Sequence, residues 1–131
     1  FGGETKVALR RAARLGDGWY PIGTNPTYPV GTPEQLSNSV GRLRRYAQDA
    51  GRDPAEIDIA YSAGWYDYPT ARMHPSGERP TFTGSAEQIA GDIRVFERLG
   101  VRHLMLGFQR DTLAETLERM ERFVGEVMPL V

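Results

Sequence analysis

The chain has 131 residues, 40% hydrophobic and 25% charged, with 16 Lys and Arg against 17 Asp and Glu. That size supports one ordinary core, and a net charge of −1 argues against the strongly basic field of a nucleic-acid binder. With no cysteine, the sequence excludes disulfide frameworks, thiolate zinc sites and cysteine nucleophiles, and no stretch approaches the ~20 apolar residues of a membrane span. A reducing, cytoplasmic setting is the expectation, with neither nucleic acid nor membrane as partner.

The chain opens on Phe1-Gly2-Gly3, a turn with no Met and no lead-in. It reads as the middle of something longer, with a strand expected to end at Phe1. A first helix is predicted over Glu4–Leu15 from the stripe Ala8, Leu9, Ala12, Ala13 and Leu15, with Gly16 as its stop. A short apolar run, Asp17–Ile22, follows as a strand. Thr32-Pro33-Glu34-Gln35 then opens a second helix with an N-cap, a proline at the first helical position and a capping-box partner. Its stripe is Leu36, Val40, Leu43, Tyr46, Ala47 and Ala50, and Gly51 closes it.

Ile57–Ser62 is the next strand. Ser85-Ala86-Glu87-Gln88 repeats the helix opening, followed by Ile89, Ile93, Phe96 and Leu99, with Gly100 as the stop. His103–Phe108 reads as a third strand. A fourth helix is predicted over Asp111–Met128, with Asp111 as N-cap and Leu113, Leu117, Met120, Phe123, Val124 and Val127 on its buried face. Strands alternating with helices predict βα units on a parallel sheet. Two long connections, Gly23–Gly31 and Gly64–Phe82, follow strand ends, where such folds place binding loops. The Tyr and Trp content of these loops hints at a partly apolar small-molecule substrate. Four units in 131 residues average about 33 each, whereas a complete (β/α)₈ barrel needs about 250. A small doubly wound sheet and half of a barrel both satisfy that arithmetic.

Gly2-Gly3-Glu4-Thr5-Lys6, leading into a helix, outlines an anion site. Glycines admit close backbone approach, first-turn N–H groups lack helical partners, and Thr5 and Lys6 add a hydroxyl and a charge. Arg110, after the last strand, could clamp a carboxylate or phosphate, although pairing with Asp111 or plain solvation is the blander reading. His103 reads as structural, His74 as an exposed loop residue and Trp19 as core. The Arg10-Arg11-Arg14 and Arg42-Arg44-Arg45 clusters read as solvated helix faces. Two distant histidines give no metal pattern, and no serine elbow, Walker loop or dinucleotide fingerprint is present.

The ordered set Gly2-Gly3-x-Thr5, Ala8-Leu9-Arg10-Arg11-Ala12-Ala13-Arg14-Leu15-Gly16-Asp17-Gly18-Trp19, Thr32-Pro33-Glu34-Gln35-Leu36, Ala50-Gly51-Arg52-Asp53-Pro54, Gly84-Ser85-Ala86-Glu87-Gln88-Ile89 and Leu99-Gly100-Val101-x-His103-Leu104-Met105-Leu106 resembles the bacterial-luciferase-like oxidoreductases. It is most similar to their deazaflavin-using, coenzyme F-420 branch. The resemblance spans essentially the whole chain. It implies an α/β fold that is the C-terminal half of a (β/α)₈ TIM barrel, strands five to eight with their helices, as a single partial domain over 1–131. It further implies that Gly2, Gly3 and Thr5, with Lys6 beside them, hold the phosphate of coenzyme F-420 (alternatively FMN), while Glu4 offers only backbone. The place of Arg110 after strand eight then implies a contact for an anionic substrate. The ring-binding and acid–base residues of such enzymes belong to the N-terminal half, so no catalytic residue is assigned in this chain. The implied chemistry is deazaflavin-dependent hydride transfer, with an FMN-dependent monooxygenase as the alternative. A third possibility is a non-catalytic half-barrel module, whose unpaired strand edges and open apolar interior favour dimerisation.

Overall fold

The structure, a computed structural model, describes residues Phe1–Val131. The chain divides into two units: Phe1–Gly64 with Phe96–Met105, and Trp65–Val95 with Leu106–Val131. No helix is long and apolar enough to cross a membrane.

In the first unit, helix α1 (Lys6–Leu15) buries Leu9, Ala12 and Ala13, the predicted stripe. Leu15 is exposed. Helix α2 (Pro33–Asp49) starts at Thr32 with both arms of the capping box formed, and buries Leu36, Val40, Leu43 and Ala47. The two helices are tied by Arg10, whose guanidinium lies 5.1 Å from the Tyr46 ring centre. Arg52 reaches back to the end of α1 and donates to the Ala13 and Gly16 carbonyls at 3.1 and 2.8 Å. These carbonyls are among those a helix C-terminus leaves unpaired.

The sheet of this unit is parallel throughout, as the alternation of elements predicted. Strands β1 (Gly18–Trp19), β2 (Asp58–Ser62) and β3 (Val101–Met105) lie in that spatial order. Register runs Trp19 to Ile59 and Tyr61 to Leu104. Two strands differ from the sequence reading. The Asp17–Ile22 run forms a ladder only at Gly18–Trp19, because Pro21 has no N–H to donate; isolated parallel bridges at Tyr20 with Gly2 and Ile22 with Ser62 carry the pairing on. The third strand sits two residues earlier than His103–Phe108. Gly100, at φ +105°, turns the chain at the end of helix α3 (Ala86–Leu99) directly into the ladder at Val101, and Leu106 leaves it. Tyr61 and Phe96 pack edge-on in the core, ring centres 4.9 Å apart.

The second unit is built around the long connection after β2. Its core is Tyr66, Ile89, Ala90 and Val127, with Tyr68, Ile93, Leu106, Phe108 and Phe123 packed against them. The connection is fastened to α3 by Arg79, which donates to both carboxylate oxygens of Asp92 at 2.8 Å. Asp92 also accepts the Phe82 N–H at 2.7 Å, and Phe82, fully buried, takes φ +60°.

Helix α4 (Leu113–Arg122) departs most from the sequence reading. Its N-cap is Thr112, not Asp111: Thr112 accepts the Glu115 N–H at 3.2 Å while Glu115 returns to the Thr112 N–H at 3.1 Å. Its regular hydrogen bonding stops at Arg122, followed by a π-helical turn over Phe123–Val127 and a 3₁₀ turn over Met128–Leu130. Most of the apolar face expected to be buried is open: Leu113 is 73% exposed, Leu117 48%, Met120 46% and Val124 65%. Only Phe123 and Val127 join the core.

Candidate functional site

The turn at the head of α1 is held from several directions. Thr5 takes extended backbone and its Oγ1 accepts the Ala8 N–H at 3.1 Å, making it the N-cap of α1. The Leu9 N–H goes to the Thr5 carbonyl at 2.9 Å. Lys6 and Val7, the first two helical residues, have no helical carbonyl to reach, and both are exposed. The expectation placed the helix start at Glu4; capping by Thr5 moves it to Lys6 and leaves those N–H groups pointing out of the helix end. The Thr5 hydroxyl, as an acceptor in the cap, keeps its own proton for a further acceptor.

Gly3 has to be glycine. Its φ is +97°, and a Cβ there would lie 3.0 Å from the Ala8 Cβ. The buried Trp19 indole donates to the Gly3 carbonyl at 2.9 Å, so this core residue also fixes the turn. Glu4 does more than the backbone role expected of it. Its side chain is buried, accepting the Ile22 N–H at 2.8 Å on Oε1 and the Asn25 amide at 2.5 Å on Oε2. Asn25 in turn accepts the Thr27 and Tyr28 N–H groups at 3.0 and 3.1 Å. The Gly23–Gly31 connection is therefore anchored on the Gly2–Thr5 turn through one carboxylate. Sequence reasoning missed Glu4 because a single acidic residue before a helix carries no signal of what lies 18 residues away.

Arg110 lies in the second unit, and its partner is Asp67, at 2.8 Å, not Asp111. Arg72 and Arg119 approach the same carboxylate at 3.8 and 4.0 Å. Arg119 also donates to the Tyr66 carbonyl. Arg122 pairs with Glu126 at 3.0 Å and lies over the Tyr68 ring, its guanidinium 4.6 Å from the centre. Burial pushes the Tyr66 hydroxyl pKa up to about 12, against an opposing pull from Arg119. Asp67 meets Arg110 and Arg119 from 43 and more positions away, so no local motif marks the cluster. His103 sits exposed within β3, and His74 is exposed in the long connection; neither joins either group of residues.

No family model and no curated protein matches the sequence. Solved structures do match its fold. A coenzyme F-420-dependent tetrahydromethanopterin reductase from Methanopyrus kandleri superposes with a TM-score of 0.73 at 13% identity, over 98% of this chain and 49% of that one. A coenzyme F-420-dependent secondary alcohol dehydrogenase, solved with a cofactor–acetone adduct, gives 0.70 at 18% identity, over 100% and 48%. The monooxygenase RslO1 from Streptomyces bottropensis gives 0.65 at 19% identity, over 98% and 46%. This chain spans about half the length of each. It has the fold of about half of each of those chains, an α/β arrangement on a parallel sheet.

Proposed function

We propose that this chain is the C-terminal half-barrel of a luciferase-like, coenzyme F-420-dependent oxidoreductase, and that its task is to hold the cofactor phosphate. One observation carries the reading: a glycine turn at φ +97°, where a Cβ would crowd Ala8, runs into a helix whose first two residues, Lys6 and Val7, are exposed and have no helical carbonyl for their N–H groups. The residues fit a phosphate. Lys6 and Val7 offer backbone donors, Thr5 offers a hydroxyl proton, the Lys6 side chain brings positive charge, and Gly2 and Gly3 let the group approach closely. Glu4, whose charge would repel a phosphate, is turned inward onto Ile22 and Asn25. The Trp19 and Glu4 bonds hold this arrangement before any ligand arrives, so little ordering remains at binding.

When bound, the deazaflavin supplies hydride donor and acceptor chemistry, and the protein supplies orientation and electrostatics. Two of the structural matches are coenzyme F-420-dependent, which favours this cofactor. The third is a monooxygenase, which keeps an FMN-dependent enzyme as the second reading. Fluorescence titration of the chain with each cofactor separates them. Tighter binding of coenzyme F-420 supports the first reading, tighter binding of FMN the second, and binding of neither overturns both.

The open stripe of Leu113, Leu117, Met120 and Val124 supports self-association of the chain, whether or not it is catalytic. Sedimentation is expected to show a dimer or larger species at micromolar concentration, reduced in Leu117→Glu. A monomer in both would remove the assembly reading.

A further inference from the structure

The Glu4 side chain is 5% exposed, and none of the ion pairs in the molecule reaches it. Both of its partners are neutral, the Ile22 N–H on Oε1 and the Asn25 amide on Oε2. A buried carboxylate without a counterion is costly, and its hydrogen bonds have to offset that cost. The first bond continues the sheet. Tyr20 donates to the Phe1 carbonyl at 2.8 Å, and in a parallel ladder the next donor, Ile22, would reach the carbonyl of Gly3. That carbonyl is taken by the Trp19 indole instead, and the chain turns away at Gly3 with φ +97°. The Glu4 carboxylate stands in for the missing acceptor. The second bond places the connection that follows β1. Asn25 commits its amide to Glu4 while its Oδ1 accepts the Thr27 and Tyr28 N–H groups. The ends of the connection are pinned to β2: Gly23 donates to the Ser62 carbonyl at 2.7 Å, and the Val30 carbonyl accepts the Tyr61 hydroxyl at 3.2 Å. Glu4 therefore holds the middle.

Glu4 stands between Gly3 and Thr5, so the turn that leads into the Lys6 and Val7 N–H groups also carries this carboxylate. We propose, resting on the phosphate reading of that turn, that Glu4 is a positioning residue for the site. By accepting on both oxygens it sets the Gly23–Gly31 connection against the turn, so that a phosphate held there is registered at Thr27 and Tyr28. The role demands a carboxylate. A glutamine has one acceptor oxygen and one donor amide. With its oxygen on Ile22, its NH₂ would meet the Asn25 NH₂, donor against donor. Turning Asn25 over relieves that contact and takes the acceptor away from Thr27 and Tyr28. No orientation of the two amides satisfies all three N–H groups without setting donors face to face. Thr27 and Tyr28 are both exposed, so what Glu4 fixes is the course of a binding-loop backbone and not the packing of a core. Coupling of this kind is reciprocal: order in the connection favours binding at the turn as much as binding favours order.

The test compares the wild-type chain, Glu4→Gln and Asn25→Ala by ¹⁵N–¹H NMR, first alone and then titrated with coenzyme F-420. Without ligand, water exchange at the Thr27 and Tyr28 amides is expected to quicken on the order of tenfold in Glu4→Gln, while Ile22 and Leu9 hold their rates. A general loss of stability would move all of these amides together. In the titration, Thr27 and Tyr28 of the wild type are expected to shift with the same midpoint as Lys6 and Val7. In both variants Lys6 and Val7 still shift, and Thr27 and Tyr28 no longer follow them. Three outcomes overturn the role of Glu4 alone: unchanged exchange in a folded Glu4→Gln, Thr27 and Tyr28 unmoved in a wild type whose Lys6 and Val7 respond, or continued tracking in either variant. Lys6 and Val7 unmoved in the wild type overturns the phosphate reading, and the positioning role with it. Asn25→Ala, a change at a half-buried residue, decides the coupling even where Glu4→Gln folds poorly.

Discussion

Helices α2 and α4 start with the same device, a threonine capping box, and carry the same apolar periodicity, yet α2 buries Leu36, Val40, Leu43 and Ala47 while α4 leaves Leu113, Leu117, Met120 and Val124 in solvent. Capping and periodicity are local properties of a segment. Burial is a property of what covers it, and α2 has α1 against it within its own unit. Of the α4 segment, only Phe123 and Val127, in the π-helical turn after the helix, reach the core. The proposed self-association of the chain rests on this open stripe.

The sharpest way to break this comparison is a pair of truncations. Leu36→Ala, at a fully buried position, is expected to cost about 2–5 kcal/mol in urea unfolding, while Leu117→Ala costs no more than about 0.5 kcal/mol. Equal losses would mean that the α4 face is covered in solution. Within the second unit, the Arg79–Asp92 pair does the fastening that α4 does not. Asp92→Ala removes the partner of a largely buried guanidinium and the acceptor of the Phe82 N–H, and is expected to destabilise by about 2–3 kcal/mol. A loss below about 0.5 kcal/mol would show that the connection is held some other way.

Alkaline pH probes the core of the second unit through Tyr66. The Tyr66 phenol, raised by burial to about 12, keeps its proton in the folded state after the unfolded chain has lost it near pH 10. Stability is therefore complete below pH 10 and falls by about 1.4 kcal/mol per pH unit from there towards 12 on account of this group. Tyr66→Phe removes that component, and an unchanged slope would contradict the burial of its hydroxyl. The smallest effect is the cap itself. Thr32→Ala and Thr112→Ala are each expected to cost about 1 kcal/mol by thermal unfolding, since both boxes are complete. A large difference between them would tie capping to burial after all.

Much of this was readable from the chain. The capping box at Thr32, the proline at the first turn of α2, the glycine stop at Gly100 and the parallel order of three strands all follow from short-range rules, and all appear in the structure. The Gly2-Gly3 turn ahead of the first helix was readable too, but its cap was not: the helix was expected to start at Glu4, and Thr5 caps it at Lys6. What escaped the sequence depends on distance along the chain. Glu4 bonds to Ile22 and Asn25, Asp67 gathers Arg110 and Arg119, and Arg79 meets Asp92 from 13 positions away. The start of α4 was misplaced by one residue because Asp111 and Thr112 are both good caps, and only Thr112 stands three residues before Glu115. The open face of α4 was invisible because periodicity reports which side is apolar and is silent on whether anything covers it.

The central claim is that the turn at the head of α1 holds a cofactor phosphate, and backbone amide shifts test it most directly. On titration with coenzyme F-420, the Gly2, Gly3, Lys6 and Val7 amides are expected to move together and saturate. Gly3→Ala, strained at φ +97° and crowding Ala8, is expected to weaken that response severalfold in a chain that still folds. Saturating shifts elsewhere with these four amides unmoved, or a response indifferent to Gly3→Ala, would contradict it.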